Sequence, residues 1–340
     1  MTSSSDLLSS NKGTPEKTAC IIVGGGLTGL ITATILQRKG ISATVLDKGR
    51  GIGGRTATRR VSHENSTEGV FDYGTQYFSA KSSKFQVWID DWLENNVIKE
   101  WSRGFGITDG KPRYCGVNGT RGIAQYLAQD LDVRTGCKVV KVNYDKQWTV
   151  ETENGEQYLS EMLLLTPPVP QSLDLLDVSL IVLPLDVRFI LESITYASSI
   201  AVLALLEQPS AIPAPGGLAL EEQELVWLGD NHQKGISPNG YAVTLQSSSD
   251  FSEYYWDSDD AEIAYKLLTA AADYLGSAVI KYQVHRWRYS QPRTCHSQPN
   301  LALSEIPLIL AGDGFVSPKI EGAVLSGIAT GELISKRFKG

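Results

Sequence analysis

The chain has no basic block: its Lys and Arg are spread along 340 residues whose formal net charge is −7. A nucleic-acid partner calls for a positive footprint, so that class is excluded. Long apolar runs are missing too. Stretches such as Ile200–Leu206 fall far short of the roughly 20 residues that a bilayer span takes, so no membrane span is expected. Cysteine is scarce and scattered. Cys20, Cys115, Cys137 and Cys295 form no C-x-x-C pair and have no histidine at ligand spacing. That excludes a disulfide framework and a zinc or other metal site, and leaves reduced thiols in a cytoplasmic, reducing compartment. Met1–Thr18 lacks both the apolar core of a secretory signal and the arginines of an organelle-targeting helix, and reads as a disordered tail. No Ser-His-Asp or paired-carboxylate arrangement can be assembled: Asp90-Asp91 reads as a solvated helix face, Asp259-Asp260 as a helix start.

What is present is an ordinary globular composition, 42% hydrophobic and 20% charged, on a chain long enough for two connected domains. Ala19–Val23 suits a buried parallel strand, Leu30–Lys39 has helical periodicity ended by Gly40, and Ala43–Leu46 is a second strand: a β-α-β unit. Helical patterns follow at Ser82–Ile98 and Thr120–Leu131, a hairpin at Val139–Tyr144 and Gln147–Glu153, and a strand at Met162–Leu165 before Pro167 and Pro168. Beyond Pro170 the strand-like runs Ile200–Leu206, Leu225–Leu228 and Tyr241–Gln246 and a helix near Asp260–Leu275 predict an antiparallel sheet with helices. Leu308–Ala311 returns as a buried strand, with a helix from about Gly322. The expected architecture is α/β: a Rossmann-like domain split between residues 19–80, 119–170 and 295–340, carrying an inserted substrate domain of mixed antiparallel sheet and helices from 81–118 and 171–294.

Gly24-Gly-Gly26-Leu27-Thr28-Gly29 satisfies G-x-G-x-x-G between the first strand and its helix. The first glycine permits the tight turn, the second admits a pyrophosphate, and the third lets helix and strand pack closely. Free amides and the positive end of the helix dipole then face phosphate charge. Asp47, ending the second strand eighteen residues after Gly29, is placed to accept hydrogen bonds from ribose hydroxyls. A second glycine loop, Lys48-Gly-Arg50-Gly-Ile-Gly-Gly54-Arg55-Thr56, follows. Gly53-Gly54-Arg55 combines close backbone approach with a forked cation suited to a diphosphate, whereas Arg59 and Arg60 fit a basic surface loop.

These loops resemble the GG-doublet flavoproteins, the amine oxidase and renalase group. The likeness continues at Phe71-Asp-Tyr-Gly74-Thr75-Gln76-Tyr77-Phe78, similar to that group's segment beside the flavin ring, and at Ala311-Gly312-Asp313-Gly with Ile320-Glu321-Gly322-Ala323, similar to its closing flavin motif. His285-Arg-Trp287-Arg-Tyr289-Ser, Arg113–Gly119 and Trp227–Lys234 narrow the resemblance to renalase-like oxidoreductases, with Asn118 where that group usually has proline. By that resemblance, noncovalent FAD is contacted by Gly24, Gly26, Leu27, Thr28, Gly29, Asp47, Lys48, Gly54, Arg55 and Thr56, by Gly74, Thr75, Gln76 and Tyr77, and by the Val139 backbone and Thr166. Trp287, Gly312, Asp313, Glu321, Gly322 and Ala323 complete the set. Asp313 holds the ribityl chain, and the following helix aims its N-terminus at the flavin pyrimidine edge. No cysteine or histidine stands where some amine oxidases bond covalently to flavin, and the lysine that bridges water to flavin in amine oxidases has no assignable counterpart.

On a strand, His285, Trp287 and Tyr289 project to one face while Arg286 and Arg288 project to the other. With the resemblance, Trp287, Tyr289 and Gln76 become candidates for the substrate and flavin face. Asn231 and His232 lie on a loop and fit either a ligand contact or a solvated turn. The implied reaction is oxidation of a small molecule, a dihydronicotinamide such as NAD(P)H or an isomer, by hydride transfer to flavin with O2 giving hydrogen peroxide. An amine oxidase or desaturase acting on a small apolar or cyclic substrate is the alternative, and a non-catalytic flavin-binding sensor or assembly partner the other.

Overall fold

A computed structural model describes residues 15–64, 67–221 and 224–339. The chain runs β1 (Glu16–Val23), α1 (Leu27–Arg38), β2 (Ala43–Asp47), β3 (Thr58–Ser62), β4 (Glu68–Asp72), α2 (Ser83–Glu94), β5 (Ile98–Phe105), β6 (Ile107–Gly116), α3 (Arg121–Leu127), β7 (Asp132–Thr135), β8 (Val139–Asp145), β9 (Gln147–Thr152) and β10 (Gln157–Leu165). It continues through α4 (Val169–Val178), α5 (Leu185–Glu192), β11 (Tyr196–Leu206), β12 (Gly217–Ala219), β13 (Leu225–Asp230), β14 (Tyr241–Ser247), α6 (Ser249–Tyr254), α7 (Asp260–Ala270), α8 (Ala272–Leu275), β15 (Val279–Pro292), β16 (Asn300–Ala302), β17 (Leu308–Ala311) and α9 (Ile320–Arg337).

The apolar runs Cys20–Val23, Val45–Leu46, Met162–Leu165 and Leu308–Ala311 are buried on both faces, as parallel strands covered by helices must be. They lie side by side in the order β17-β10-β1-β2-β7, all parallel, with β16 antiparallel at one edge and the β8–β9 hairpin on the first half of β10. α1 and α9 pack on one face so closely that a Cβ on Gly327 would come within 2.8 Å of Thr28 O. The second sheet has the order β12-β13-β14-β11-β15 and is antiparallel throughout. Ile200, Val202, Ala204 and Leu206 of β11 face the core over α6–α8, while Ala201, Leu203 and Leu205 face the β3–β4 hairpin.

Several sequence expectations shift. Residues 1–14 of the expected tail lie outside the described residues, and Glu16–Thr18 are strand, because they continue the ladder of β1 with Tyr158–Ser160. α2 stops at Glu94 rather than near Ile98: Asn96 takes the left-handed conformation (φ 53°), and a hairpin, β5–β6, begins at Ile98. Helix α3 likewise ends at Leu127. The helix near Asp260–Leu275 divides at Ala271. Phe85, Trp88, Ile89 and Trp92 of α2 share a core with Leu30, Ile31, Val324 and Ile328, so residues 83–94 pack with α1 and α9 and not with the five-stranded sheet.

Candidate active site

The Rossmann rule places ligands at the carboxyl ends of the parallel strands, and there the two ends of the chain meet. Gly24 turns at φ 107°, and Thr166, from the end of β10, braces the turn by donating its hydroxyl to Val23 O (2.9 Å) and Gly24 O (3.1 Å). A Cβ on Gly29 would lie 2.1 Å from Gly24 O, so helix and strand touch through that glycine. Gly26 differs. A Cβ there would meet nothing within 4 Å, and α1 begins directly after Gly26 with no side-chain cap. Unpaired first-turn amides and open space above the middle glycine form a cradle for a phosphate.

Other expected contacts are partly spent inside the protein. The Thr28 hydroxyl donates to Ala323 O (2.9 Å), binding α1 to α9, and the Thr56 hydroxyl donates to Gly53 O (2.8 Å). Lys48 reaches away to Gln171. Asp47 accepts from the amides of Gly25 and Gly49, both at 2.6 Å, so its carboxylate first closes its own loop; each oxygen retains a second lone pair for a ribose hydroxyl. The same loop fixes the entry to β8, since Gly136 N donates to Gly49 O and Cys137 N to Asp47 O, setting Val139 beside it. Gly53 and Gly54 take φ values of 110° and 53°, and Gly53 N donates to Gly25 O (2.8 Å), which holds the two glycine loops together.

Arg55 does not stand free to fork a diphosphate. Its two terminal nitrogens hold both oxygens of Asp313, at 2.5 and 2.7 Å, and Nη1 also lies 3.3 Å from the carbonyls of Tyr289 and Ser290. Burial pulls the Arg55 pKa down, but Asp313 more than reverses it. The partners of this guanidinium are thus protein oxygens brought from the far end of the chain, and Asp313 is fixed in orientation next to Gly312. A different cation is left uncommitted beside the glycine loop: Arg121, packed against Gly51, has no carboxylate partner among the described residues, and its Nε is buried without an acceptor. Glu321, expected as a cofactor contact, accepts from Lys81 N and Ser82 N and so ties the start of α2 to the start of α9. α9, like α1, has no side-chain cap; Gly322 is required there because a Cβ would strike Ser317 O at 1.9 Å.

Between the two sheets runs Asp72–Phe78, and its carbonyls are held one by one from the five-stranded sheet and its loops. Thr244 donates to Asp72 O (2.9 Å), Trp287 Nε1 to Tyr73 O (2.9 Å), Gln246 to Gly74 O (2.7 Å) and Lys234 to Gln76 O (2.6 Å). Register explains this: Trp227 opposes Gln246, Gly229 opposes Thr244, Gln246 opposes Ala201, and Ala201 opposes His285, so all share the face turned to the segment. Among the described residues no acceptor takes the amides of Gln76 and Tyr77. Beneath the segment Asp72 is wholly buried and accepts from Thr58 Oγ1 (2.6 Å), Thr120 N (2.8 Å), Thr120 Oγ1 (2.9 Å) and Lys234 Nζ (2.7 Å). Lys234 is equally buried and stands over the Trp101 ring.

Gln76 donates to Asp72 O and Gly74 O, and among the described residues its buried Oε1 has no donor and the buried Trp227 indole N–H no acceptor. Both atoms crowd Gly229, where a Cβ would come within 2.7 and 3.0 Å of them. Trp287 stacks on Tyr73 at 5.3 Å between centroids, His285 sets its ring edge-on against both, and Arg59 lies over Tyr73 at 4.8 Å. Arg59 is therefore part of this wall, whereas Arg60 stays on the exposed surface with Glu68. Burial first, then Arg59 and Arg286, lowers the His285 pKa to about 4.

Tyr289 does not join this wall. Ala197 opposes Gln291 and Ser199 opposes Trp287, so three residues of β15 bulge against one of β11. The alternation breaks there, and the Tyr289 ring turns to Tyr196. On the opposite face Arg286 binds Asp260 and the carbonyls of Trp256 and Ser258, and is structural. Asn231 is not on a solvated turn but fully buried between Asp72 N and Thr244, while His232 is half-buried and bonds Ser237 O. Thr244 and Gln246 escape a reading of the sequence, and Asp72 and Lys234 appear in it only as members of the segments Phe71–Phe78 and Trp227–Lys234, without their pairing. The available signals are an aspartate set among aromatic residues in Phe71–Phe78 and the lysine that ends Trp227–Lys234.

An open depression of about 340 Å³ near Glu16, Thr44, Asp132 and Arg134 lies at the opposite ends of the parallel strands, and its charges are paired with one another. The glycine turns, the two uncapped helices and the orphaned amides mark the carboxyl end as the site, and they fit a flavin dinucleotide.

Comparison with known proteins agrees. Residues 22–92 match the NAD(P)-binding Rossmann-like domain, and residues 62–334 match the flavin containing amine oxidoreductases. Mouse (Mus musculus) renalase is 24% identical, over 93% of this chain and 98% of its own length. In fold the chain is similar to a putative protoporphyrinogen oxidase from Exiguobacterium sp. 255-15 (TM-score 0.70, 12% identity, 95% of this chain and 99% of that one). It is also similar to cyclohexylamine oxidase from Brevibacterium oxydans IH-35A (TM-score 0.68, 13% identity, 95% and 100%). With a match spanning most of its length and a cradle that suits the cofactor, the chain belongs to the flavin containing amine oxidoreductases and is an FAD-dependent oxidoreductase.

Proposed function

We propose that the enzyme oxidises a dihydronicotinamide, NAD(P)H or an isomer of it, with O2 as acceptor and hydrogen peroxide as product, and that it holds FAD noncovalently. One observation carries this reading: the charges around the wall suit an anion and not an ammonium. Asp72 is saturated by four donors and Asp313 by Arg55, so neither carboxylate is free to receive a cationic amine. Burial first, then Arg59 and Arg286, hold His285 against gaining a proton, and Arg121, at the start of α3, stands uncommitted beside the glycine loop. A ligand bearing phosphates meets attraction in the same field. The 24% identity to mouse renalase lies along the same line.

When bound, FAD supplies the hydride acceptor and the route to oxygen. The protein supplies position. Gly26 with the start of α1, the Asp313 carboxylate oriented by Arg55, and the start of α9 would hold the dinucleotide. Trp287, stacked on the buried Tyr73, offers a flat face on which a planar ring can lie, with its N–H anchored so that the indole cannot swing. The neutral His285 edge closes that wall without adding charge. Hydride transfer depends on near-attack alignment more than on acid or base, so a rigid wall is the relevant device. Four free thiols suit the reducing cytoplasm as its compartment. Anaerobic mixing of the yellow protein with dihydronicotinamides and, separately, with primary and cyclic amines tests the reading. Bleaching by a dihydronicotinamide and recovery on admitting oxygen is expected. Bleaching by amines alone overturns it.

A further inference from the structure

Gly51 is a glycine that its backbone conformation does not explain. Unlike Gly53 and Gly54 it has no positive φ, and what it provides is room. A Cβ there would lie 2.1 Å from Nη2 and 2.7 Å from Cζ of Arg121. The stem of that arginine passes Gly53, where a Cβ would lie 3.7 Å from Arg121 Cγ. Its base is fixed, since Arg121 N donates to Thr58 Oγ1 (3.1 Å) and Thr120 is held on the buried Asp72. The guanidinium thus lies along the second glycine loop. Gly53, at one end of that stretch, is bonded to Gly25 O, and Gly51 stands between it and Asp47 in the chain.

No described residue takes this fork. Every other half-buried arginine among the described residues has an oxygen partner: Arg55 has Asp313, Arg59 Gln283, Arg113 Asp109, Arg134 Asp132, Arg188 Asp177 and Arg286 Asp260. Arg121 Nε is buried without an acceptor, while Nη1 and Nη2, which also bond no described residue, are not enclosed as Nε is. A guanidinium half out of water with no acceptor is an arrangement that an anion completes.

We propose that Arg121 holds the adenosine-side phosphate of FAD, the role that the sequence motif suggests for Arg55. Arg55 has both terminal nitrogens on Asp313, Lys48 reaches to Gln171, and Arg50 is exposed. Arg121 is therefore the half-buried cation left for the cradle over Gly26. A dinucleotide whose ribose lies at Asp47 and whose diphosphate enters that cradle passes Gly51–Gly54 on the way, and the phosphate nearer the ribose is the one that Gly51 borders. Two parallel N–H donors fix such a phosphate in orientation, which a lysine cannot do. The assignment holds whichever donor reduces the flavin. With Arg121 on the cofactor, Arg59 and Arg286 are the cations that favour an anionic donor at the wall.

Competition on the flavin-loaded protein separates a phosphate contact from a structural one. AMP, which carries that phosphate alone, and adenosine, which lacks it, are titrated in turn, and released FAD is followed by its fluorescence. The ratio of the two half-release concentrations reports what the protein gains from the phosphate and does not depend on its affinity for FAD. In Arg121→Met the preference for AMP over adenosine should shrink roughly 10- to 100-fold, the worth of hydrogen bonds to a charged group. Arg121→Lys should lie between, keeping the charge without the fork. Gly51→Ala, whose Cβ displaces Nη2, should shrink the preference too, and the double variant Gly51→Ala, Arg121→Met should show no smaller a preference than Arg121→Met. Where Arg121→Met retains too little flavin to titrate, Arg121→Lys and Gly51→Ala report the same ratio. A wild-type ratio in these variants overturns the assignment even if flavin is held more weakly, since a residue that only supports the loop weakens AMP and adenosine alike. No electron donor enters the experiment, so its outcome is separate from the choice between a dihydronicotinamide and an amine.

Discussion

Replacing Lys234 with methionine should destabilise the protein severely although the residue lies far from any surface and makes a single ion pair. Methionine keeps most of the volume and the packing over Trp101, so cavity effects stay small. What changes is Asp72. It retains Thr58 Oγ1, Thr120 N and Thr120 Oγ1 but loses its one cationic partner in a position with no solvent contact. Removing one member of a buried pair costs about 3–5 kcal/mol, because the other is left charged. The Gln76 carbonyl, bonded to the same Nζ at 2.6 Å, loses a donor too, which holds the figure toward the upper end. Urea unfolding followed by tryptophan emission and by flavin release should therefore show a midpoint far below wild type. The double variant Asp72→Asn, Lys234→Met removes both charges and should recover about 2 kcal/mol or more relative to Lys234→Met, since a neutral amide can still accept from the two threonines. A Lys234→Met protein that unfolds at the wild-type midpoint refutes the reasoning, as does a double variant no better than the single one.

Gly26→Ala should fold as wild type yet bind FAD weakly, because its Cβ projects into open cradle, whereas Gly29→Ala should lose stability, its Cβ meeting Gly24 O at 2.1 Å; thermal melts of flavin-stripped protein and flavin titrations separate the two. Asp313→Ala should shed FAD on gel filtration and leave Arg55 half-buried without its carboxylate, while Asp313→Asn should retain more flavin. His285, neutral in the fold down to about 4, takes a proton in the unfolded chain below about 6.5, so stability should fall as pH drops through that window, and His285→Asn should flatten the pH dependence of the melting temperature. Trp287→Ala should slow anaerobic flavin reduction by the best dihydronicotinamide while FAD stays bound; an unchanged rate in the folded, flavin-loaded variant would make Trp287 a core residue only.

Local signals made the parallel layer legible. Short apolar runs bounded by glycine, a G-x-G-x-x-G turn and an acid closing the second strand are all written within a few residues of one another, and the structure forms them there. Boundaries were less legible where a stop signal is subtle. Asn95-Asn96 ends α2 because Asn96 takes the left-handed conformation, yet the apolar pattern runs on through Val97 and Ile98 into the next strand. The β5–β6 hairpin and most of the fourteen-residue β15 carry mixed, half-exposed faces with no clean period. Tyr289 shows the limit of alternation itself: a rule of two assigns it to the Trp287 face, and a bulge that depends on the register with β11 takes it away.

Charged residues were legible as important and illegible as to partner. Arg55 and Asp313 stand 258 positions apart, and Asp72 and Lys234 162, so nothing in either neighbourhood announces the pairing. A motif reading hands each such side chain to the ligand, since the ligand is the nearest opposite charge it can imagine. The fold hands most of them to each other: Arg55 to Asp313, Asp47 to its own loop, Glu321 to the start of α2, Thr28 to α9. What remains turned toward the cofactor cleft is largely backbone, namely the uncapped starts of α1 and α9, the amides of Gln76 and Tyr77, and the open space over Gly26. That division has a physical reason. Backbone amides fixed by helices and sheets need no reorganisation to receive a diphosphate or a ring edge, whereas flexible charged side chains would have to be ordered at a cost in entropy for every ligand bound. The ion pairs serve to make the cradle rigid, which is why breaking Lys234 should be felt at the flavin although its buried side chain does not touch it.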